Sequence, residues 1–236
     1  MPTIYAFVKI FEKEQYANEF IFGKLFMNTL RYFKEYRDTT GELRGDPYEG
    51  IAAWYQPNKI NLQIGDHIVP SSEIAYPIAA HDQELLNKNA FCVYSLNSGD
   101  HESISKETLA DFKRAIELHE SCFGLGNFCV AILNAQKFKE RILSAIKSNN
   151  VSGKLGLVEY FNEHEYHGEF PSEKYGFHKR SFFSHQREYR PLVDTHCSLS
   201  GPYTLNIDDL SDISLLTTPE EFKKQLEIRL PDGSAA

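Results

Sequence analysis

The sequence predicts an α+β fold, and three observations carry that expectation. Segments rich in β-branched and aromatic residues mix with segments of helical periodicity, without the regular strand–helix–strand rhythm of a parallel sheet. Two helix starts carry explicit capping signals, at Asn134 and at Thr218-Pro219. The composition, 42% hydrophobic and 25% charged over 236 residues, is that of an ordinary soluble domain with enough apolar mass for a core.

Taken in order, Thr3–Ile10 is predicted as a strand and Glu12–Phe22 as a helix, with Tyr16 and Phe20 one turn apart and Gly23 as its stop. Lys24–Phe33 reads as extended. Arg37–Gly50 (RDTTGELRGDPYEG) has the residues of a loop, yet it carries two arginines and several acids, so it is more than a spacer. Ile60–Val69 and Glu73–Ile78 read as short strands and Asn89–Leu96 as a buried one. A helix follows from a Ser105 cap through His119, with Leu109, Phe112 and Ile116 on one face. Asn127–Leu133 reads as a strand. Asn134 then caps a helix in which Phe138, Ile142 and Ile146 recur at helical spacing. Lys154–Phe161 returns to strand, Gly168–Phe183 reads as a loop, and His185–Val193 and Tyr203–Ile207 as strands. Thr218, Pro219 and Glu221 open the last helix as a capping box. No repeat or boundary divides the chain. Residues 1–230 are expected to form a single domain, and 231–236 a tail whose GSAA reads in part as an appended scar.

Composition also limits function. A net charge of −8 argues against broad coating of nucleic acid, which needs Lys and Arg to neutralise phosphates, although a local basic loop is compatible with it. The cysteines, Cys92, Cys122, Cys129 and Cys197, form no CxxC pair, so they read as buried free thiols and not as a zinc ribbon. No signal peptide or membrane-length apolar run is present, which makes the expected location cytoplasmic, without a membrane partner. Gly124-Leu125-Gly126 lacks the third glycine of a dinucleotide loop and reads as a turn. His164 and His167 have a possible metal spacing, but no further ligands can be placed, and no metal is expected.

The strongest candidate for chemistry is the run from Phe177 to Arg190. On a strand, residues two apart share a face, so Gln186, Glu188 and Arg190 are expected to point one way. There the carboxylate could stabilise a developing cation or accept a hydroxyl proton, and the amide could orient an incoming nucleophile. A solvated strand edge with ordinary ion pairs would have the same pattern.

Gln-x-Glu at the start of a late strand resembles the last motif of many ADP-ribosyltransferases. That resemblance implies a split β-sheet core with peripheral helices, and NAD as co-substrate without a metal. It also implies Glu188 as the catalytic carboxylate that holds a ribose hydroxyl, and Gln186 as the residue that orients the acceptor. The preceding loop, Gly176–Ser184, then becomes the target loop, and its His178, Lys179, Arg180, Phe182 and Phe183 suit a flexible nucleic-acid strand through phosphate contacts and base stacking; a surface hairpin whose Phe residues pack inward is the competing reading.

The order of the remaining segments resembles nucleic-acid-modifying toxins of the DarT type, and also the messenger-RNA-modifying toxins of chaperone-controlled phage-defence modules, of the CmdT type. From that likeness Arg44 in LRGDPYEG, with Arg31 in NTLRYF as its rival, would assist NAD binding and catalysis, and Tyr94-Ser95 would match the aromatic strand. Tyr5 would also line the cleft. Where such enzymes place His or Arg on the first strand, this sequence has Ala6, with Tyr5 and Lys9 nearby. The grip on NAD therefore falls to Arg31 or Arg44. The implied acceptor is RNA or single-stranded DNA, and a neutralising antitoxin protein is the implied partner. Transfer to protein, or a binding module of a defence complex without catalysis, are the competing expectations.

Overall fold

A computed structural model describes residues 2–37, 44–197 and 201–230, together with 233 and 235. In chain order the elements are β1 (Ile4–Phe11), α1 (Glu14–Ile21), β2 (Lys24–Thr29), α2 (Leu30–Glu35), β3 (Ile51–Tyr55), β4 (Leu62–Ile64), β5 (His67–Val69), β6 (Ile78–His81), α3 (Gln83–Leu86), β7 (Asn89–Ala90), β8 (Val93–Asn97) and α4 (Leu109–Ile116). They continue with β9 (Phe128–Ile132), α5 (Ala135–Ser148), β10 (Ser152–Leu157), β11 (Glu159–Phe161), β12 (Gly168–Glu169), β13 (His178–Arg180), β14 (Glu188–Asp194), β15 (Tyr203–Asn206), β16 (Ser214–Thr217) and α6 (Pro219–Gln225). The α+β expectation holds.

Nine strands form one antiparallel sheet in the order β15-β2-β7-β14-β8-β1-β9-β16, with β10 also paired to β14. The sheet forks. β7 and β8 are one path of chain broken at Phe91-Cys92. Its first half pairs with β2 (Asn28↔Ala90) and its second half with β1 (Phe7↔Ser95, Val8↔Tyr94). β14 runs along the opposite side of both halves, at Leu192↔Ala90 and Glu188↔Tyr94. β1 and β2 therefore leave the same strand in different directions, joined by α1.

Helices α1 and α5 cover one face of the sheet. Ala17 and Phe20 of α1, and Phe138, Ile142 and Ile146 of α5, pack with Phe7, Leu25, Met27, Val93, Tyr189 and Val193 in the largest apolar cluster. Phe20 and the α5 residues Phe138, Ile142 and Ile146 are positions that the sequence marks, whereas Tyr16, expected beside Phe20, is exposed and Ala17 is buried in its place. The other face is covered by Leu118, Cys122 and Phe222 over Ala6, Val8, Tyr94 and Cys129. β3, β6 and β12 form a small separate sheet, β4 and β5 a hairpin, and β11 pairs with β13 in parallel.

Several expected boundaries move, each for a local reason. Lys24–Phe33 is a strand only to Thr29, because the Thr29 hydroxyl accepts the Tyr32 N–H (3.1 Å) and starts α2. The helix expected from Ser105 to His119 is confined to α4, since Ser105 and Thr108 close a local turn on each other (Ser105 N to Thr108 Oγ1, 2.9 Å). Ile60–Val69 folds back at Gly65 as the β4–β5 hairpin. The strand expected over Glu73–Ile78 begins only at Ile78, after a 3-10 turn at Ser71–Glu73. Lys154–Phe161 breaks at Val158, whose N–H is taken by the Glu188 carbonyl (2.9 Å), so β10 pairs with β14 and β11 with β13. Gly168–Phe183, expected as a loop, contains β12 and β13, and Cys197 is exposed, unlike Cys122 and Cys129. The caps at Asn134 (accepting from Lys137 N, 2.9 Å) and Thr218 (from Glu221 N, 3.1 Å) are as read. Part of Arg37–Gly50, residues 38–43, lies outside the described residues, as do 198–200 and most of the tail.

Candidate active site

A cleft of about 630 Å3 opens where β1 and β2 diverge. Its floor is the interrupted strand at Phe91, Cys92, Val93 and Tyr94, together with Glu188, Gln186, Lys179 and Glu49. One side carries Lys9 to Glu12 from the end of β1, and the other carries Lys24, Phe26 and Asn28 from β2 with Tyr32, Phe33 and Tyr36 from α2 and its end. Arg44 and Leu125 close the rim.

Glu188 is the first residue of β14, and the path that brings it there differs from the expected strand. Residues 181–186 form a 3-10 turn, and Arg187 adopts a left-handed conformation (φ 41°, ψ 47°). Gln186 therefore does not precede Glu188 along a strand. The turn still brings it to the same place, because the Lys179 ammonium donates both to Gln186 Oε1 (3.1 Å) and to Glu188 Oε1. Arg187 is fixed in its strained conformation from both sides. Its carbonyl accepts from Ser95 N and Ser95 Oγ (2.9 Å each), and its guanidinium donates to the Asn97 carbonyl (2.7 Å).

Around Glu188 lies a closed set of buried charges. Arg190, fully buried, donates to Glu188 Oε2 (2.9 Å), to Glu49 Oε1 (2.6 Å) and to the Gly176 carbonyl (2.6 Å). Lys179 also faces Glu49 at 3.6 Å. Two carboxylates are thus balanced by two cations, as burial of charge requires. The Tyr160 hydroxyl accepts the Glu188 N–H (2.9 Å). Burial disfavours the Glu188 carboxylate, but Lys179 and Arg190 outweigh it and hold its pKa well below the usual range. Glu188 is a permanent anion at neutral pH and a weak base. It suits stabilisation of positive charge better than proton abstraction. Each carboxylate oxygen has about two lone-pair sites, so these contacts leave capacity for a ligand hydroxyl.

The other expected site residues divide in two. Arg44 reaches the cleft, donating to the Leu125 carbonyl (2.8 Å) with Glu12 at 3.8 Å. Tyr94 lines it, with its hydroxyl donated to the Glu117 carbonyl (2.7 Å), and burial pushes that phenol well up. Arg31 does not line it. Its guanidinium binds Gln83 (3.2 Å) and Asn87 (3.3 Å). Tyr5 is exposed and stacks edge-on with Phe112, and Ser95 is buried behind the floor in its bonds to Arg187 and Asn97.

The expected target loop also differs from its reading. His178, Lys179 and Phe183 are buried, Arg180 is half-buried, and of the five residues Phe182 alone is exposed (55%). His178 packs on Phe170, and burial lowers its pKa. Arg180 pairs with buried Asp46 (3.2 Å) and lies over the Tyr48 ring (4.7 Å). Phe177 packs with Leu30, Leu85 and Leu192, and the centre of the Phe183 ring lies 5.2 Å from the Lys179 ammonium. The exposed aromatics line the mouth of the cleft instead: Tyr16, Phe26 and Tyr32.

Two residues escaped the sequence reading. Glu49 anchors Arg190 from 141 positions away, so no local pattern could reveal it. Lys9 was visible only as a neighbour of Ala6. No group of three or more His, Cys, Asp or Glu that could hold a metal occurs among the described residues, and His167 Nδ1 accepts the Gln56 N–H (3.1 Å). Compared with known proteins, the chain matches no family model, no curated protein and no solved structure.

Proposed function

We propose that this protein is an NAD-dependent ADP-ribosyltransferase, with Glu188 as the carboxylate that promotes loss of nicotinamide. One observation carries the reading: Glu188, clamped between Lys179 and Arg190 with Gln186 on the same ammonium, lines the floor of a cleft with room for a dinucleotide. The cleft lies within the roughly 300–1,000 Å3 range of small-molecule sites. Its aromatic sides suit flat rings. In the proposed step the bond from ribose C1′ to nicotinamide breaks and nicotinamide leaves with the electron pair. The Glu188 charge stabilises the ribosyl cation, and an acceptor nucleophile then bonds to C1′ and loses its proton to solvent water. Gln186, held by Lys179, would orient that acceptor.

The proposed acceptor is nucleic acid, RNA or single-stranded DNA, a choice supported by the exposed aromatics Tyr16, Phe26 and Tyr32 at the mouth, which offer stacking faces. Such an activity would harm its own cell, so a neutralising partner protein belongs to the proposal. Labelled NAD incubated with cell lysate tests the acceptor. Label should vanish on nuclease digestion and survive protease, and the reverse would assign a protein acceptor.

A second reading has its own support. Both Glu188 oxygens are engaged by cations of the protein, as in a structural ion-pair network. A binding module without catalysis would bind NAD or ADP-ribose and release no nicotinamide.

A further inference from the structure

Beyond Val8↔Tyr94, β1 leaves β8, and the next residue, Lys9, turns into the fork. The break at Phe91-Cys92 leaves the Cys92 carbonyl without a strand partner, and Lys9 Nζ supplies the missing donor at 2.6 Å, lying 4.9 Å from the centre of the Phe91 ring. This contact satisfies the carbonyl but leaves the ammonium charge uncompensated. Lys9 forms no ion pair with a carboxylate among the described residues, whereas Lys179, deeper in the same cleft, faces both Glu188 and Glu49. Two further cations, Arg44 and Lys24, line the same cleft. Arg44 donates to the Leu125 carbonyl (2.8 Å), and its one ion pair among the described residues is the long contact with Glu12 at 3.8 Å; Lys24 has no ion pair among the described residues. Burial lowers the Lys9 pKa, and Arg44 and Lys179 push it the same way, with Glu188 as the opposing carboxylate. A half-buried cation that lacks its own counter-ion is set to receive one.

We infer that Lys9, with Arg44 at the rim, is an anion subsite that takes the phosphate groups of a nucleotide-type ligand. A small carboxylate would meet the charge and leave the aromatic sides uncovered. A diphosphate joined to flat rings uses both. The inference depends on the ADP-ribosyltransferase reading only for which phosphorylated ligand binds.

Calorimetric titration of the whole chain with inorganic pyrophosphate, ADP-ribose and adenosine tests it, using wild type, Lys9→Met and Lys9→Arg. Pyrophosphate and ADP-ribose should bind wild type and weaken about tenfold or more in Lys9→Met, the expected loss of a charge-assisted contact. Lys9→Arg should restore most of the affinity, and adenosine should not distinguish the three. ADP-ribose binding equally to wild type and Lys9→Met would overturn the subsite and leave the proposed activity standing. Pyrophosphate binding that depends on Lys9, with no binding of ADP-ribose, would keep the subsite and remove the proposed activity. Failure of every phosphorylated probe to bind wild type would overturn the subsite.

Discussion

At the residue scale, the central feature is that Glu188 cannot be considered alone. Its charge is held by Lys179 and Arg190, and Arg190 is in turn held by Glu49. Removing one member leaves a buried charge without its partner, which costs roughly 3–5 kcal/mol. Arg190→Met should therefore lower the free energy of urea unfolding by about that amount, and a loss below about 1 kcal/mol would contradict the network. The pH dependence has a definite sign. Lys179 and Arg190 depress the Glu188 pKa in the folded state despite its burial. The resulting stability is complete above the unfolded carboxylate pKa, about 4.3 for Glu, and is lost as pH falls through the lower folded value. The stability difference between wild type and Glu188→Gln should hold constant from about pH 7 to 5 and shrink only below about pH 4. A difference that declined between about pH 7 and 6 would mean that Glu188 is not held ionised.

At the element scale, much of the frame is legible in the sequence and its joints are not. The α5 and α6 caps, the first strand and the α5 stripe depend on local chemistry that spacing reveals. The 3-10 turn ahead of β14 depends on contacts from far along the chain. Ser95 and Asn97 hold Arg187, and the buried Phe183 anchors a segment that sequence alone reads as a loop, its Phe residues facing either a target or the interior. A Lys and a Phe there have the same letters whether they face a target or the interior, which is why Lys179 reads as a target contact and proves to be the clamp on Glu188. Gly176 shows how this segment is fixed. It has φ +85°, its carbonyl accepts from Arg190, and an added Cβ would lie 2.6 Å from Leu192 Cδ2. Gly176→Ala combines left-handed strain with a clash and should destabilise by about 1–3 kcal/mol, read as a lower thermal midpoint. An unchanged midpoint would show that the turn can relax without disturbing β13.

At the scale of the whole molecule, the fork of the sheet produces the cleft. β1 and β2 share one neighbouring path of chain and separate at its break, so a ligand in the fork touches both arms. A bound ligand should therefore tie the arms together. ADP-ribose at a hundred times its dissociation constant should stabilise the fold by about 2.7 kcal/mol. It should also slow amide exchange at residues 9–12 and 24–28 in particular. Exchange slowed elsewhere, with these segments unchanged, would move the site out of the fork. The overall charge of −8 gives no general attraction for nucleic acid, so acceptor choice has to come from the cleft mouth. No helix among the described residues is long and apolar enough to cross a membrane. The most direct measurement of the central claim is nicotinamide release from NAD by wild type and by Glu188→Gln, a variant that keeps the side-chain volume. The account predicts release by wild type and a fall of about a hundredfold or more in the variant, with ADP-ribose binding retained. Equal release by the two proteins, or none by wild type in the presence of its acceptor, would contradict it.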